Sequence, residues 1–171
     1  MGFFEKFKKN NNIEVTEEAG HVYAPVTGRY ILLKEVDDGV FSEGALGGGC
    51  GILPEEGKLY APVSGEISMI ADTKHAIGIV TENGAEYLLH IGLDTVDMNG
   101  TGFDVKVKNG SRVKAGQLLI NFDLDQIKKA GHKTTTMFIL TNEYDFQKFE
   151  LFTGKKYDAG EMFGILKQEK N

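Results

Sequence analysis

Imidazole can act as nucleophile, proton donor or metal ligand at neutral pH without any shift of its pKa. Four histidines occur in the 171 residues, and two of them, His75 and His90, share one dense stretch. It runs Thr73-Lys74-His75-Ala76-Ile77-Gly78-Ile79-Val80, then Thr81-Glu82-Asn83-Gly84-Ala85, then Glu86-Tyr87-Leu88-Leu89-His90-Ile91-Gly92. Asn-Gly between two β-rich runs is a strong hairpin signal. A two-residue turn pairs Glu82 with Ala85 and sets His90 opposite Ile77. His75 then becomes a diagonal neighbour of His90 on the same face, with Cα atoms about 7–8 Å apart. A three-residue turn would send the two histidines to opposite faces. In the first register Ile77, Ile79 and Leu88 surround the pair. A neutral imidazole among aliphatic side chains keeps a free lone pair, which attack on phosphorus requires. Phosphoryl transfer also needs in-line approach and donors to the equatorial oxygens. His75 is placed to be such a donor. His21 and His132 have no comparable company and read as structural or surface residues.

Other chemistries fit less well. A zinc hydrolase needs three protein ligands and a water. Neither His-x-His nor His-Glu-x-x-His occurs, and nothing in the spacing compels Asp94 to be a third ligand. A biotin or lipoate carrier would explain the turn-like Gly110-Ser111-Arg112-Val113-Lys114-Ala115-Gly116, but Lys74 is not in a short swinging-arm motif. Cys50, in Gly47-Gly48-Gly49-Cys50-Gly51, has no base placed for it and reads as a small buried residue.

The elements that must position the histidines are strands. Runs rich in Val, Ile, Tyr and Phe, such as residues 29–34, 66–71, 76–81, 86–91 and 117–122, are separated by Gly, Asn and Asp. With 22 glycines spread along the chain, the pattern is all-β. Tyr23-Ala24-Pro25-Val26-Thr27-Gly28 returns as Tyr60-Ala61-Pro62-Val63-Ser64-Gly65. Two similar β units folded over each other predict an antiparallel β-sandwich with an internal pseudo-repeat. One or two short helices are expected. Asp123 can cap the segment through Ala130, and Gly131 can stop it. Residues 1–20 read as a flexible tail and residues 21–171 as a single domain. Within the tail, Gly2-Phe3-Phe4-Glu5-Lys6-Phe7-Lys8-Lys9 is a short basic amphipathic turn that could graze an anionic membrane.

Net charge is −6, with no basic stripe, which argues against nucleic acid. The single cysteine excludes an intramolecular disulfide. No apolar run is long enough to span a bilayer and no signal core opens the chain, so a cytoplasmic protein is expected.

The segment from Gly84 through Val96 resembles the phosphorylation-site segment of glucose-type enzyme IIA of the bacterial sugar phosphotransferase system. Thr73-Lys74-His75-Ala76 resembles that family's second-histidine segment, and Asp37-Asp38-Gly39-Val40-Phe41 its Asp-x-Val-Phe loop. Gly100-Thr101-Gly102-Phe103, Gly110-Ser111-Arg112-Val113 and Phe122-Asp123-Leu124 fit as well. The similarity runs from about residue 20 to the C-terminus. It implies a free-standing phosphocarrier in which His90 takes a phosphoryl group from HPr and gives it to a cysteine of a IIB domain of a sugar permease. His75 would stabilise the phosphohistidine, and Thr73 would orient His75. Asp38 and Asp94 would meet a basic residue on the partner. Val40, Phe41, Leu46 and Val96 would form an apolar docking ring. No cofactor is required. Zinc could be held by His75 and His90 with a carboxylate lent by a partner, and the same surface could bind regulatory targets according to phosphorylation state. Ala71 and Leu88 stand where many members carry aromatics, which implies a flatter docking surface.

Overall fold

The computed structural model describes residues 11–168. Along it run β1 (His21–Tyr23), β2 (Gly28–Leu32), β3 (Gly48–Pro54), β4 (Lys58–Tyr60), β5 (Gly65–Ile70), β6 (Ala76–Val80) and β7 (Glu86–Ile91). The second half supplies β8 (Phe103–Val105), β9 (Arg112–Val113), β10 (Leu118–Phe122), β11 (Thr136–Leu140), β12 (Phe146–Leu151), β13 (Lys155–Tyr157) and β14 (Met162–Gln168). All pairings are antiparallel. An eight-stranded sheet has the order β13-β2-β3-β11-β7-β6-β5-β9, and two three-stranded sheets have the orders β1-β14-β12 and β4-β10-β8.

The repeated hexapeptide explains this layout. It equates β1 with β4 and β2 with β5, so the large sheet reads the same from either edge, with its centre between β11 and β7. The two copies exchange hydrogen bonds. Tyr23 N–H donates to the Pro62 carbonyl at 3.0 Å and Tyr60 N–H donates to the Pro25 carbonyl at 2.8 Å. Each proline lies in the bend between two strands, where its missing N–H costs no ladder bond.

Between the sheets lies the main core, which includes Tyr30, Ile52, Ile77, Ile79, Leu89, Leu119, Phe138 and Phe163. Cys50 belongs to it and is fully buried, and burial pushes its thiol pKa up, away from reactivity. The outer face of the large sheet carries a second, smaller apolar cluster of Val36, Phe41, Leu93, Met137 and Ile139. Residues 33–47, with two 3-10 turns, lie over that face. Among the described residues one α-helix occurs, α1 (Leu124–Lys129). The Asp123 carboxylate accepts from Gln126 N–H at 3.1 Å, and Gly131 adopts φ +87° beyond its end, as the sequence predicts.

Two expectations need correction. The β6–β7 hairpin has a three-residue loop, Glu82-Asn83-Gly84. Thr81 N–H donates to the Ala85 carbonyl at 2.9 Å, and Ala76, not Ile77, stands opposite His90. Thr81 closes the longer turn, because its hydroxyl accepts from Ala85 N–H at 2.9 Å while Gly84 takes φ +88°. Ile77 and Ile79 therefore point into the main core, and Leu88 shares the outer face with His90.

The second correction concerns the N-terminus. From Asn12 on, the expected tail is docked. Ile13 N–H donates to the Gly116 carbonyl at 2.8 Å, and Glu18 N–H donates to the Tyr23 hydroxyl at 2.8 Å. Glu17 accepts from the Ser64 hydroxyl at 2.8 Å. The amphipathic turn at residues 2–9 lies outside the described residues. Among the described residues no helix is long and apolar enough to cross a membrane.

Candidate functional site

His90 projects from the outer face of β7, between Ala76 on one neighbouring strand and Met137 on the other. Its Nδ1 lies 3.0 Å from the Gly92 carbonyl. A carbonyl can only accept, so the Nδ1–H donates and the neutral ring keeps its lone pair on Nε2. Gly92 can turn its carbonyl back because it has φ +78° and no Cβ. A Cβ there would meet the Thr95 methyl at 2.4 Å and the Lys133 carbonyl at 3.0 Å.

His75 sits just before β6, after Lys74 in the left-handed region at φ 65°. Its carbonyl accepts from Ile91 N–H at 2.8 Å, so its backbone is still on the ladder. Strand alternation alone would aim its side chain inward, with Ile77. Lys74 breaks the extended backbone just before it, and the ring, 7% exposed, turns to meet His90. There Thr73 Oγ1 lies 2.8 Å from its Nδ1. The two imidazoles meet edge to face, with centroids 4.8 Å apart and planes at 84°. The one-residue shift of the hairpin would have separated the histidines, and the strand-end position of His75 brings them together again.

Burial lowers the pKa of both rings. For His90, burial dominates, the neighbouring His75 adds to it, and the value falls to about 4 against the opposing pull of the Gly92 carbonyl, Asp38 and Asp94. Both imidazoles are neutral at pH 7. If His75 Nδ1 accepts from the Thr73 hydroxyl, its Nε2–H is free to donate.

Asp38 accepts backbone N–H bonds from Phe41 at 3.2 Å and Ser42 at 3.0 Å, which fixes the 3-10 turn Phe41–Glu43 beside the histidines. Lys133 ties the same loop down through an ion pair with Asp37 at 2.7 Å. Asp94 is exposed at the rim with φ 61°. Val40, Leu46 and Val96 are 52, 41 and 50% exposed around the site. Phe41 is not an exposed docking residue. It is 8% exposed, and its ring packs 4.9 Å from that of His90, forming the site's floor. Among the described residues no group of three His, Cys, Asp or Glu side chains is placed to hold a metal.

Residues 20–146 match the family model of the phosphoenolpyruvate-dependent sugar phosphotransferase system, EIIA 1. The chain belongs to that family. It is accordingly a glucose-type EIIA, a phosphocarrier and phosphotransferase component. Its structure is similar to that of glucose permease IIA from Mycoplasma capricolum, with 36% identity and a TM-score of 0.77 over 90% of this chain and 99% of that one. A match to the deep-sea M23 metalloprotease pseudoalterin, at 9% identity and a TM-score of 0.40, carries no argument.

Three parts of this EIIA site were not read from the sequence. Phe103 flanks His75, with ring centroids 6.5 Å apart. Lys133 comes from a distant segment, and no local pattern links it to Asp37. Thr95 is fully buried, and its hydroxyl donates to the Ile91 carbonyl directly after His90. A threonine four residues past a strand end gives no sign in sequence that it is packed underneath a glycine turn.

Proposed function

We propose that His90 Nε2 accepts a phosphoryl group from phosphorylated HPr and passes it to the cysteine of a IIB domain. The observation that carries this reading is the Nδ1–H bond to Gly92, which leaves the Nε2 lone pair as the free nucleophile in a ring too buried to be protonated at neutral pH. The Nε2 lone pair attacks phosphorus as the donor's nitrogen–phosphorus bond breaks, and the departing imidazole keeps that electron pair. The proton stays on His90 Nδ1, donated to the Gly92 carbonyl throughout. In the second step a thiolate of the IIB domain attacks phosphorus, the Nε2–phosphorus bond breaks, and His90 returns neutral. His75 Nε2–H donates to an equatorial oxygen, with Thr73 holding the ring. A charge-assisted bond of this kind contributes about 1.5–3 kcal/mol.

Asp38 and Asp94 face a basic residue of the partner, and Val40, Leu46 and Val96 supply the apolar contact. A phosphoryl group adds close to two negative charges beside that apolar ring, so regulatory targets that bury it bind the unphosphorylated form more tightly. Zinc bridging His75, His90 and a partner's carboxylate would need the same Nε2 lone pair and would compete with phosphorylation.

The test is incubation with phosphoenolpyruvate, enzyme I and HPr, followed by peptide mass spectrometry under alkaline conditions. One acid-labile phosphoryl group on His90, lost in His90→Gln and retained in His75→Gln, is the expected result. No phosphorylation of either histidine by a competent HPr would overturn the proposal and bring the regulatory and zinc readings forward.

A further inference from the structure

We infer that Thr95 is a positioning residue for the phosphoryl acceptor: its buried hydroxyl holds the turn after β7 so that the Gly92 carbonyl fixes the proton of His90 on Nδ1. The inference rests on the reading of His90 Nε2 as the nucleophile and adds the device that keeps that nitrogen bare.

The contacts converge on three consecutive peptide groups, from His90 to Leu93. The Ile91 N–H donates to the His75 carbonyl at 2.8 Å, and the Ile91 carbonyl accepts from the Thr95 hydroxyl at 2.5 Å. The two N–H groups that follow are pinned as well. Gly92 N–H donates to the Thr135 carbonyl at 2.9 Å, and Leu93 N–H donates to the Lys133 carbonyl at 3.0 Å. The Thr95 methyl fills the space on Gly92 that a side chain would otherwise take. Thr95 is fully buried, so its hydroxyl has no water to turn to. Its removal would leave the Ile91 carbonyl without that partner and loosen the turn that aims the Gly92 carbonyl at His90.

The chemical consequence follows from the imidazole. A free neutral imidazole side chain favours the proton on Nε2, the tautomer that cannot attack through that nitrogen. The bond to Gly92 reverses this preference. A turn that drifts by a fraction of an ångström weakens the bond and lets the proton move to Nε2. Where a histidine ligates a metal, losing the partner that fixes its tautomer typically costs about 10–100-fold in affinity or activity, and the same tautomer control operates on a nucleophilic imidazole.

Thr95→Val removes the hydroxyl and keeps the methyl that fits under Gly92. Thr95→Ser does the reverse. Nitrogen-15 NMR of the imidazoles at neutral pH reads the tautomer directly, and a rapid-quench assay with phosphorylated HPr reads the uptake rate. In the wild type, His90 should carry its proton on Nδ1. In Thr95→Val the Nε2–H form should grow and uptake should slow about 10–100-fold. Thr95→Ser should keep the wild-type tautomer and stay within about threefold of its rate. A folded Thr95→Val protein with wild-type nitrogen shifts would reduce Thr95 to a packing residue. Should the valine protein not fold, a serine protein with its His90 proton on Nε2 overturns the inference alone. The nitrogen shifts need no phosphorylation, so they judge Thr95 even if His90 proves not to be the acceptor.

Discussion

The His75 and His90 rings meet edge to face with centroids 4.8 Å apart, although strand alternation would separate them. Each imidazole desolvates the other, and His75 adds to the depression of the His90 pKa. His75→Ala opens that side of His90 to water. The His90 pKa should then rise from about 4 toward the ordinary histidine value. An NMR titration of both proteins checks this, and an unchanged midpoint would mean that His75 plays no part in keeping His90 neutral.

The same depression sets a pH dependence of stability. Unfolded, His90 titrates near 6.5, and folded near 4. As pH falls below about 6.5, the unfolded chain binds a proton that the folded chain refuses, so stability drops. The loss continues to about pH 4 and amounts to about 3 kcal/mol from this group. His75, shifted the same way, adds to it. Urea unfolding from pH 7.5 to 4.5 should show the wild type losing more stability than His90→Gln. Equal slopes would show that His90 is not held neutral by the fold.

Thr73 acts on the second histidine. Its hydroxyl lies 2.8 Å from His75 Nδ1. Thr73→Val keeps the side-chain shape but can neither donate nor accept. Uptake of the phosphoryl group on His90 should be nearly unchanged, while transfer to the IIB domain slows about tenfold, the equivalent of one hydrogen bond of about 1–1.5 kcal/mol. Thr73→Ser should restore the rate. A loss in both half-reactions would place Thr73 in folding instead of in the orientation of His75.

The sequence disclosed the fold and the meeting of the two histidines better than the register that produces it. The all-β fold, the cap at Asp123 and the stop at Gly131 were legible because each depends on local residue type. The hairpin register was not, because Thr81 decided it by closing a three-residue loop, and Asn83-Gly84 is compatible with either length. The meeting of the histidines survived that error for a reason alternation does not describe, since a ring at a strand end can fold over it. The family resemblance put Phe41 in the docking ring with Val40, but it fills the outer cluster with Val36 and Met137. Burial against a distant strand is not written in a neighbouring residue.

That distinction separates Phe41 from Val40 experimentally. Phe41→Ala removes a buried ring from the floor of the site and should cost about 3 kcal/mol of stability. It should also raise the His90 pKa by letting water in. Val40→Asp changes an exposed side chain and should leave stability within about 0.5 kcal/mol, yet weaken transfer to and from partners. Thermal unfolding and the transfer assay on both proteins decide the matter. A destabilised Val40→Asp with normal transfer would reverse the two assignments.

The docked N-terminal segment gives a test in which backbone strain can be subtracted. Gly116 has φ +90°, and a Cβ there would meet the Ile13 carbonyl at 2.1 Å. Gly154 has φ +86° with nothing within 4 Å of its Cβ position. An alanine at either position pays for the left-handed backbone, about 1–2 kcal/mol, but only the one at 116 must also displace Ile13. Gly116→Ala should therefore be the more destabilising in urea unfolding. In a chain lacking residues 1–15 the obstruction is gone, and the two alanine variants should cost the same. The excess that disappears on truncation measures how firmly Ile13 is seated. A Gly116→Ala cost unchanged by the truncation would show that the segment does not occupy this place in solution.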